Sequence, residues 1–264
     1  MSYARNGGNR IWWDEMGSGE PLLLAMGHGW DSRMWWRAMP ALAVGHRVIR
    51  FDNRGIGRTE WDGQPFGIED LAADAFTVLD AAGVTSAHVY GMSMGGLTVQ
   101  EMALSQPARV RSLVLGCTRA DSAIGRTQPK GEGVKAKIPF WLLAKLFRGA
   151  LYGPHPDPDA VAQDLRLMRT AHCPSDGRLA QSRAIASYAS LERIHEITAP
   201  TLILHGDKDR AVPVAKGQEL AAHIPGAELV VLPGAGHAYL AEVGTRSVDA
   251  VLDFLTRHRA DQVA

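Results

Sequence analysis

The sequence predicts an α/β fold: a mostly parallel central sheet flanked by helices. Three observations carry that expectation. Short apolar runs of strand length alternate with segments of helical spacing along most of the chain. Some of the runs, Leu22-Leu23-Leu24-Ala25-Met26 above all, are continuously apolar, as suits a strand buried on both faces of a parallel sheet. The alternation breaks once, between Thr118 and Ala199, where helical patterns separated by Pro and Gly take over. Such a break argues for a helical insertion at the carboxyl edge of the sheet, where ligands bind in folds of this class.

In chain order, Arg10-Ile11-Trp12-Trp13-Asp14-Glu15 reads as an edge strand closed by the turn cluster Gly17-Ser18-Gly19-Glu20-Pro21. The apolar run after it ends at Gly27-His28-Gly29-Trp30-Asp31-Ser32. Ser32 is placed to cap a helix through Met34, Trp35, Trp36 and Met39 that bends at Pro40. The strand from His46 to Asp52 leads into the loop Asn53-Arg54-Gly55-Ile56-Gly57-Arg58-Thr59. From Ile68 to Ala82, the residues Leu71, Ala72, Ala75, Phe76, Val78 and Leu79 fall at helical spacing, and Gly83 is a helix stop. A strand from Ala87 to Tyr90, a helix from Gly96 and a strand from Val110 to Gly116 follow. After the interruption come a strand from Thr201 to His205, a helix from Val214 to His223, a strand from Glu228 to Leu232 and a helix from Ser247 to His258.

The 264 residues suffice for one large α/β domain with a real core. With 28 basic and 28 acidic residues and no charged block, nothing points to nucleic acid or an acidic polymer as partner. The only cysteines, Cys117 and Cys173, are too few for a disulfide framework; they could pair once, while a reducing compartment favours buried free thiols. The stretch from Met1 to Gly8 lacks the apolar run of a signal peptide, and no segment is long and apolar enough to span a bilayer. The expectation is a soluble cytoplasmic protein. The sequence specifies no oligomeric state.

The chemistry centres on Gly91-Met92-Ser93-Met94-Gly95, a serine between glycines on a turn from strand to helix. Such a turn pushes the hydroxyl out of the sheet edge and strains the serine backbone, and small neighbours let strand and helix approach. The start of the helix offers free N–H groups to a developing oxyanion. Serine needs an adjacent base. Of ten histidines, His237 is the late one on a glycine-rich loop, after the strand ending at Leu232, and is the candidate; His46, His88, His205 and His258 lie within or beside predicted elements and read as structural. The loop from Asp52 to Arg58 lacks the Lys-Ser/Thr of a phosphate loop and the spacing of a dinucleotide site, and no paired histidine spacing suggests a metal.

Taken together, these motifs resemble the α/β-hydrolase superfamily over nearly the full chain. The resemblance rests on His28-Gly29 after an apolar strand, Phe51 to Arg58, the turn from Gly91 to Gly95, Gly206-Asp207-Lys208-Asp209 before Val212-Pro213, and Gly234-Ala235-Gly236-His237 after the last strand. The chain looks most like the small esterases, enol-lactonases and cofactor-free haloperoxidase-type members. The resemblance implies a short helical cap inserted after the sixth strand, at residues 119–199, between core stretches 1–118 and 200–264. It implies Ser93 as nucleophile, His237 as base and Asp209 as acid, in the Ser, Asp, His order of the fold. Asp207 then reads as a turn carboxylate, and Asp121 is a third candidate for the acid. The backbone N–H groups of Met94 and Trp30 are the expected oxyanion hole. Trp30 and Asp31 stand where many relatives have Phe and Pro, a departure that leaves the main-chain donor in place.

No cofactor and no metal are expected. His28 is a candidate pocket residue that more naturally pins its loop by hydrogen bonds. Trp141, in the apolar stretch Ile138 to Phe147, is a candidate pocket wall. Trp30, Met92, Met94 and Trp141 favour an apolar or aromatic acyl or lactone substrate. The expected activity is hydrolysis of a carboxylic ester or lactone of a small molecule. A C–C bond hydrolase, a thioesterase or a perhydrolase would use the same triad, and the fold also serves as a non-catalytic ligand receptor.

Overall fold

The computed structural model describes residues 2–120, 138–243 and 245–259. Eight strands form one sheet in the order β1-β2-β4-β3-β5-β6-β7-β8. They are β1 (Ser2–Asn6), β2 (Asn9–Met16), β3 (Glu20–Ala25), β4 (His46–Phe51), β5 (Ala87–Met92), β6 (Val110–Gly116), β7 (Thr201–Gly206) and β8 (Glu228–Leu232). The β1–β2 and β2–β4 pairings are antiparallel, and every later pairing is parallel. The helices around the sheet are α1 (Met39–Leu42), α2 (Ile68–Ala81), α3 (Met94–Ser105), α8 (Val214–His223), α9 (Tyr239–Glu242) and α10 (Arg246–Arg257). Between β6 and β7 lie α4 (Phe140–Leu146), α5 (Arg148–Leu151), α6 (Pro158–Thr170) and α7 (Ser175–Ser187), and the described residues there contain no strand.

The period of two along each strand divides the core into two layers. Leu22 and Leu24 of β3 join Val48, Tyr90, Val114, Leu202 and Leu204 beneath α1 and α10. Leu23 and Ala25 join Ile49, Val89, Leu113, Leu115 and Ile203 beneath α2, α3 and α8. All of these side chains are buried, and each leucine stabilises the fold by about 1.5–3 kcal/mol through loss of apolar surface from water. This two-sided burial is why the strands read as continuous apolar runs.

Two expectations need correction. The strand around Arg10 to Glu15 is not an edge: β1 covers its outer side, with Tyr3 opposite Trp12 and Ala4 opposite Ile11. Of β1 only Ala4 is buried, so its polar sequence carried no strand signal. The helix expected after Ser32 is instead a 3₁₀ turn, Ser32–Trp35, followed by α1 with Pro40 in its first turn. Asp31 caps the 3₁₀ turn by accepting from the Arg33 N–H, which frees Ser32 to donate to Asp52.

Candidate active site

The loops after β3, β5, β6, β7 and β8 bring the candidate residues to one edge of the sheet. Ser93 stands between β5 and α3 with φ 55° and ψ −116°. A left-handed φ at a side-chain-bearing residue costs on the order of 1–3 kcal/mol. The Ser93 N–H donates to the Gly116 carbonyl at 2.8 Å, and the Thr118 hydroxyl donates to the Ser93 carbonyl at 2.7 Å. A Cβ on Gly91 would collide with the Gly95 carbonyl, and one on Gly95 with the Ala25 carbonyl, so both flanking glycines are required by close backbone approach. Ser93 opens onto a cavity of about 100 Å³ lined by Met94, Leu97, Thr118, Arg119, Ile185 and Val212.

Asp209 and His237 are in direct contact. His237 Nδ1 lies 2.7 Å from Asp209 Oδ2. The N–H groups of Ala211 and Val212 each donate to Oδ1 at 2.8 Å. Burial alone would raise the Asp209 pKa. Hydrogen bonds from His205 and His237, the His237 charge and the Val212 amide outweigh it and hold the group at about 2. Asp209 is therefore an acceptor and Nδ1 of His237 carries a proton; in the neutral tautomer of an imidazole so placed, Nε2 is the basic nitrogen.

Cys117 lies under this pair, and its thiol donates to the His237 carbonyl at 3.2 Å. Burial raises the Cys117 pKa well above its ordinary value, so it stays a neutral thiol. Cys117, Asp209 and His237 offer ligand atoms within 4.8 Å of one another. Nδ1 and Oδ2 are bonded to each other and Sγ to a carbonyl, so the donors satisfy one another and suit proton holding better than a metal cradle.

Asp207 accepts from the Gly234 N–H at 2.7 Å and pairs with Lys208 at 3.0 Å, bracing the β7 turn against the loop that carries His237. Asp121 lies outside the described residues. Met94 opens α3, so its N–H has no intrahelical acceptor. The Trp30 N–H makes a long 3.4 Å contact with the Gly27 carbonyl. A Cβ built on Gly27 would stand 3.1 Å from Ser93 Cβ, so the Trp30 loop lies against the serine.

His28 turns toward α7. Its Nε2 lies 3.0 Å from the Arg178 carbonyl and 3.1 Å from Ser182 Oγ, and burial lowers its pKa. Beside it, Gly29 N–H donates to Gln181 Oε1 at 2.9 Å, while Gln181 Nε2 donates to the Arg54 carbonyl at 3.0 Å. Trp141 packs against the core with the Arg169 guanidinium 5.7 Å from its ring centre. Neither His28 nor Trp141 is among the residues that line the Ser93 cavity. Phe140 is the aromatic residue that reaches the loop: it lies edge-on to His28 at 6.0 Å and occupies the space beside Gly29. Sequence reasoning missed Phe140, though the apolar run contained it, and missed Gln181 and Ile185, which carry no local signal.

The chain belongs to the α/β-hydrolase fold family, whose model matches residues 20–242. A protein provisionally named carbamate hydrolase RutD, from Azorhizobium caulinodans, is 34% identical over 91% of this chain and 93% of its own. The enol-lactonase of Burkholderia xenovorans LB400 superposes with a TM-score of 0.85 at 28% identity, covering 96% of this chain and 99% of its own. A hydrolase from Pseudomonas aeruginosa PA01 superposes with a TM-score of 0.87 at 28% identity, covering 96% and 97%. Family and relatives together support a hydrolase. Among the described residues no helix is long and apolar enough to cross a membrane.

Proposed function

We propose that the protein is a serine hydrolase that cleaves a carboxylic ester or lactone of a small apolar or aromatic molecule. The observation that carries this reading is the hydrogen-bonded Asp209–His237 pair at the same sheet edge as a strained serine. In the proposed reaction His237 Nε2 takes the Ser93 proton as the hydroxyl oxygen attacks the carbonyl carbon. Asp209 holds the imidazole and stabilises its charged form. The N–H groups of Met94 and Trp30 receive the oxyanion. His237 then protonates the leaving alkoxide, and water, activated by the same imidazole, releases the acid from Ser93. No step calls on a cofactor.

We read residues 119–199 as a cap over core stretches 1–118 and 200–264. The bonds from α7 to His28 and Gly29 support that division, because they fix the cap onto the loop that carries Trp30. Met94, Leu97, Ile185 and Val212 favour an apolar acyl group.

Replacing Ser93 by Ala is expected to lower kcat on p-nitrophenyl esters by a factor on the order of 10⁶ and to abolish labelling by a fluorophosphonate. Near-wild-type turnover by Ser93→Ala would overturn the assignment. The relative named for carbamate hydrolysis supports a second reading, with the same residues attacking a carbamate carbonyl. One panel of aryl esters, lactones, acyl thioesters and carbamates separates the two by kcat/KM.

A further inference from the structure

His205 is the last residue but one of β7 and is fully buried. Its Nε2 lies 2.8 Å from the Val212 carbonyl. A carbonyl can only accept, so Nε2 carries a proton. That same Nε2 stands 3.5 Å from Asp209 Oδ2, the oxygen that faces His237. Val212 closes a ring: its carbonyl accepts from His205 while its N–H donates to Asp209 Oδ1. Asp209 thus lies between two imidazoles.

A second, independent feature marks the arrangement. Gly217 sits inside α8, where glycine costs about 1 kcal/mol relative to alanine. A Cβ there would stand 2.6 Å from His205 Nδ1. The helix interior carries a destabilising residue at the one point where the second imidazole needs room.

Resting on the triad reading above, we propose that His205 is a positioning residue for the proposed acid. Its Nε2–H donates to the Val212 carbonyl and so fixes the turn whose amides hold Asp209 Oδ1, while Nε2 stands 3.5 Å from Oδ2. The consequence is electrostatic as well as geometric. The polarised Nε2–H group, 3.5 Å from Oδ2, offsets part of the negative charge that Asp209 offers to His237. Losing that donor makes the imidazolium more favourable and raises the pH at which His237 gives up its proton.

The groups facing this pair are common to wild type and variant. Cys117 and Tyr239 have pKa values pushed well above their ordinary range by burial, and stay neutral. Glu242 receives the Gly153 and Gly236 N–H groups and has a pKa raised by burial. Lys208 and Arg210 flank Asp209 in the chain.

The test compares His205→Phe, which keeps a ring and removes the donor, with His205→Gln, whose side-chain amide can restore an N–H near the Nε2 position. The expected result for His205→Phe is a loss of kcat of roughly 10–100-fold, KM within about twofold, and an acid limb of the kcat/KM profile moved upward by about half a pH unit or more. His205→Gln should recover most of kcat and return the limb toward the wild-type position. An unmoved acid limb in folded His205→Phe, whatever its Tm, would overturn the proposal, as would equal profiles for the Phe and Gln variants. Ser93→Ala, measured alongside, keeps the two readings apart. If it is inactive and His205→Phe behaves as wild type, only the role of His205 fails. If Ser93→Ala turns over, the triad reading itself fails.

Discussion

β4 and β7 end alike. Each delivers a buried aspartate at the carboxyl edge of the sheet, and each is followed by a turn that folds back onto that carboxylate. Asp52, after β4, accepts the Ser32 N–H at 2.9 Å and the Ser32 hydroxyl at 2.6 Å on Oδ1, and the Arg58 N–H at 2.9 Å and Nε at 2.7 Å on Oδ2. Asp209 accepts two turn amides on Oδ1 and His237 on Oδ2. The frames differ in the partner that carries charge. Arg58 is a permanent cation whose guanidinium also lies over the Trp12 ring, and it has no proton to exchange near neutral pH. Imidazole, unlike guanidinium, is a group that exchanges protons near neutral pH. One design thus suits two ends: with arginine it closes a turn, and with histidine it fits the acid–base role proposed above.

The largest expected effect follows from neutralising the proposed acid. Asp209→Asn should keep the fold and lose kcat by a factor on the order of 10⁴, because the amide no longer fixes the imidazole tautomer or stabilises its charge. Ester hydrolysis with parallel thermal melts checks this; a variant within tenfold of wild type would break the contrast with Asp52. The matching change at the other turn, Asp52→Ala, should act on stability. It leaves Ser32 and Arg58 without their acceptor and should cost about 3 kcal/mol, the low end for a buried pair because Arg58 is partly exposed. Urea unfolding measures that loss, and fluorophosphonate titration of the folded fraction should show kcat per active site close to wild type.

The Asp209 pKa, held at about 2, also predicts a pH dependence. A folded-state value below the unfolded value of about 3.9 means that ionised Asp209 stabilises the fold above pH 4 and loses that contribution as pH falls through 2. The contribution is roughly 2 kcal/mol from this shift. Urea midpoints at pH 5 and at pH 2.5 should therefore separate wild type from Asp209→Asn at the higher pH and draw them together at the lower one. A gap that stays constant would show that the carboxylate contributes nothing specific to the native state.

Much of this was legible in the sequence because it is local. The glycine at 91 answers to a backbone contact within one strand–turn–helix, although Gly95 answers to the Ala25 carbonyl of neighbouring β3, and the Gly206-to-Pro213 turn closes on its own amides. The strands of the parallel sheet read as apolar runs because both their faces are buried. β1 escaped because an outer strand with one buried residue has no such pattern. The bonds from Gln181 to Gly29 and Arg54 join residues more than a hundred positions apart, and no local pattern marks them. His205 reads as structural in the sequence because it lies at the end of a predicted strand. Its neighbours Asp209 and Val212 are close in sequence, but its seat is made by Gly217 across a strand–helix contact.

The smallest effect sharpens the comparison within a single turn. Asp207 and Asp209 follow the same strand two residues apart, and the sequence allows either to face a histidine. Asp207 instead accepts from the Gly234 amide and pairs with Lys208, and its side chain keeps 30% of its surface exposed. Its pKa is lowered by the Lys208 hydrogen bond and the Gly234 amide, which makes it a brace between the β7 and β8 loops. Asp207→Asn keeps an oxygen that can accept from the Gly234 N–H. It should change kcat by no more than about twofold, the scale of surface substitutions near 0.5 kcal/mol. Steady-state kinetics of Asp207→Asn beside Asp209→Asn give the ratio directly. A loss at Asp207 equal to that at Asp209 would mean that the β7–β8 brace, rather than the Asp209–His237 contact, sets the position of the imidazole.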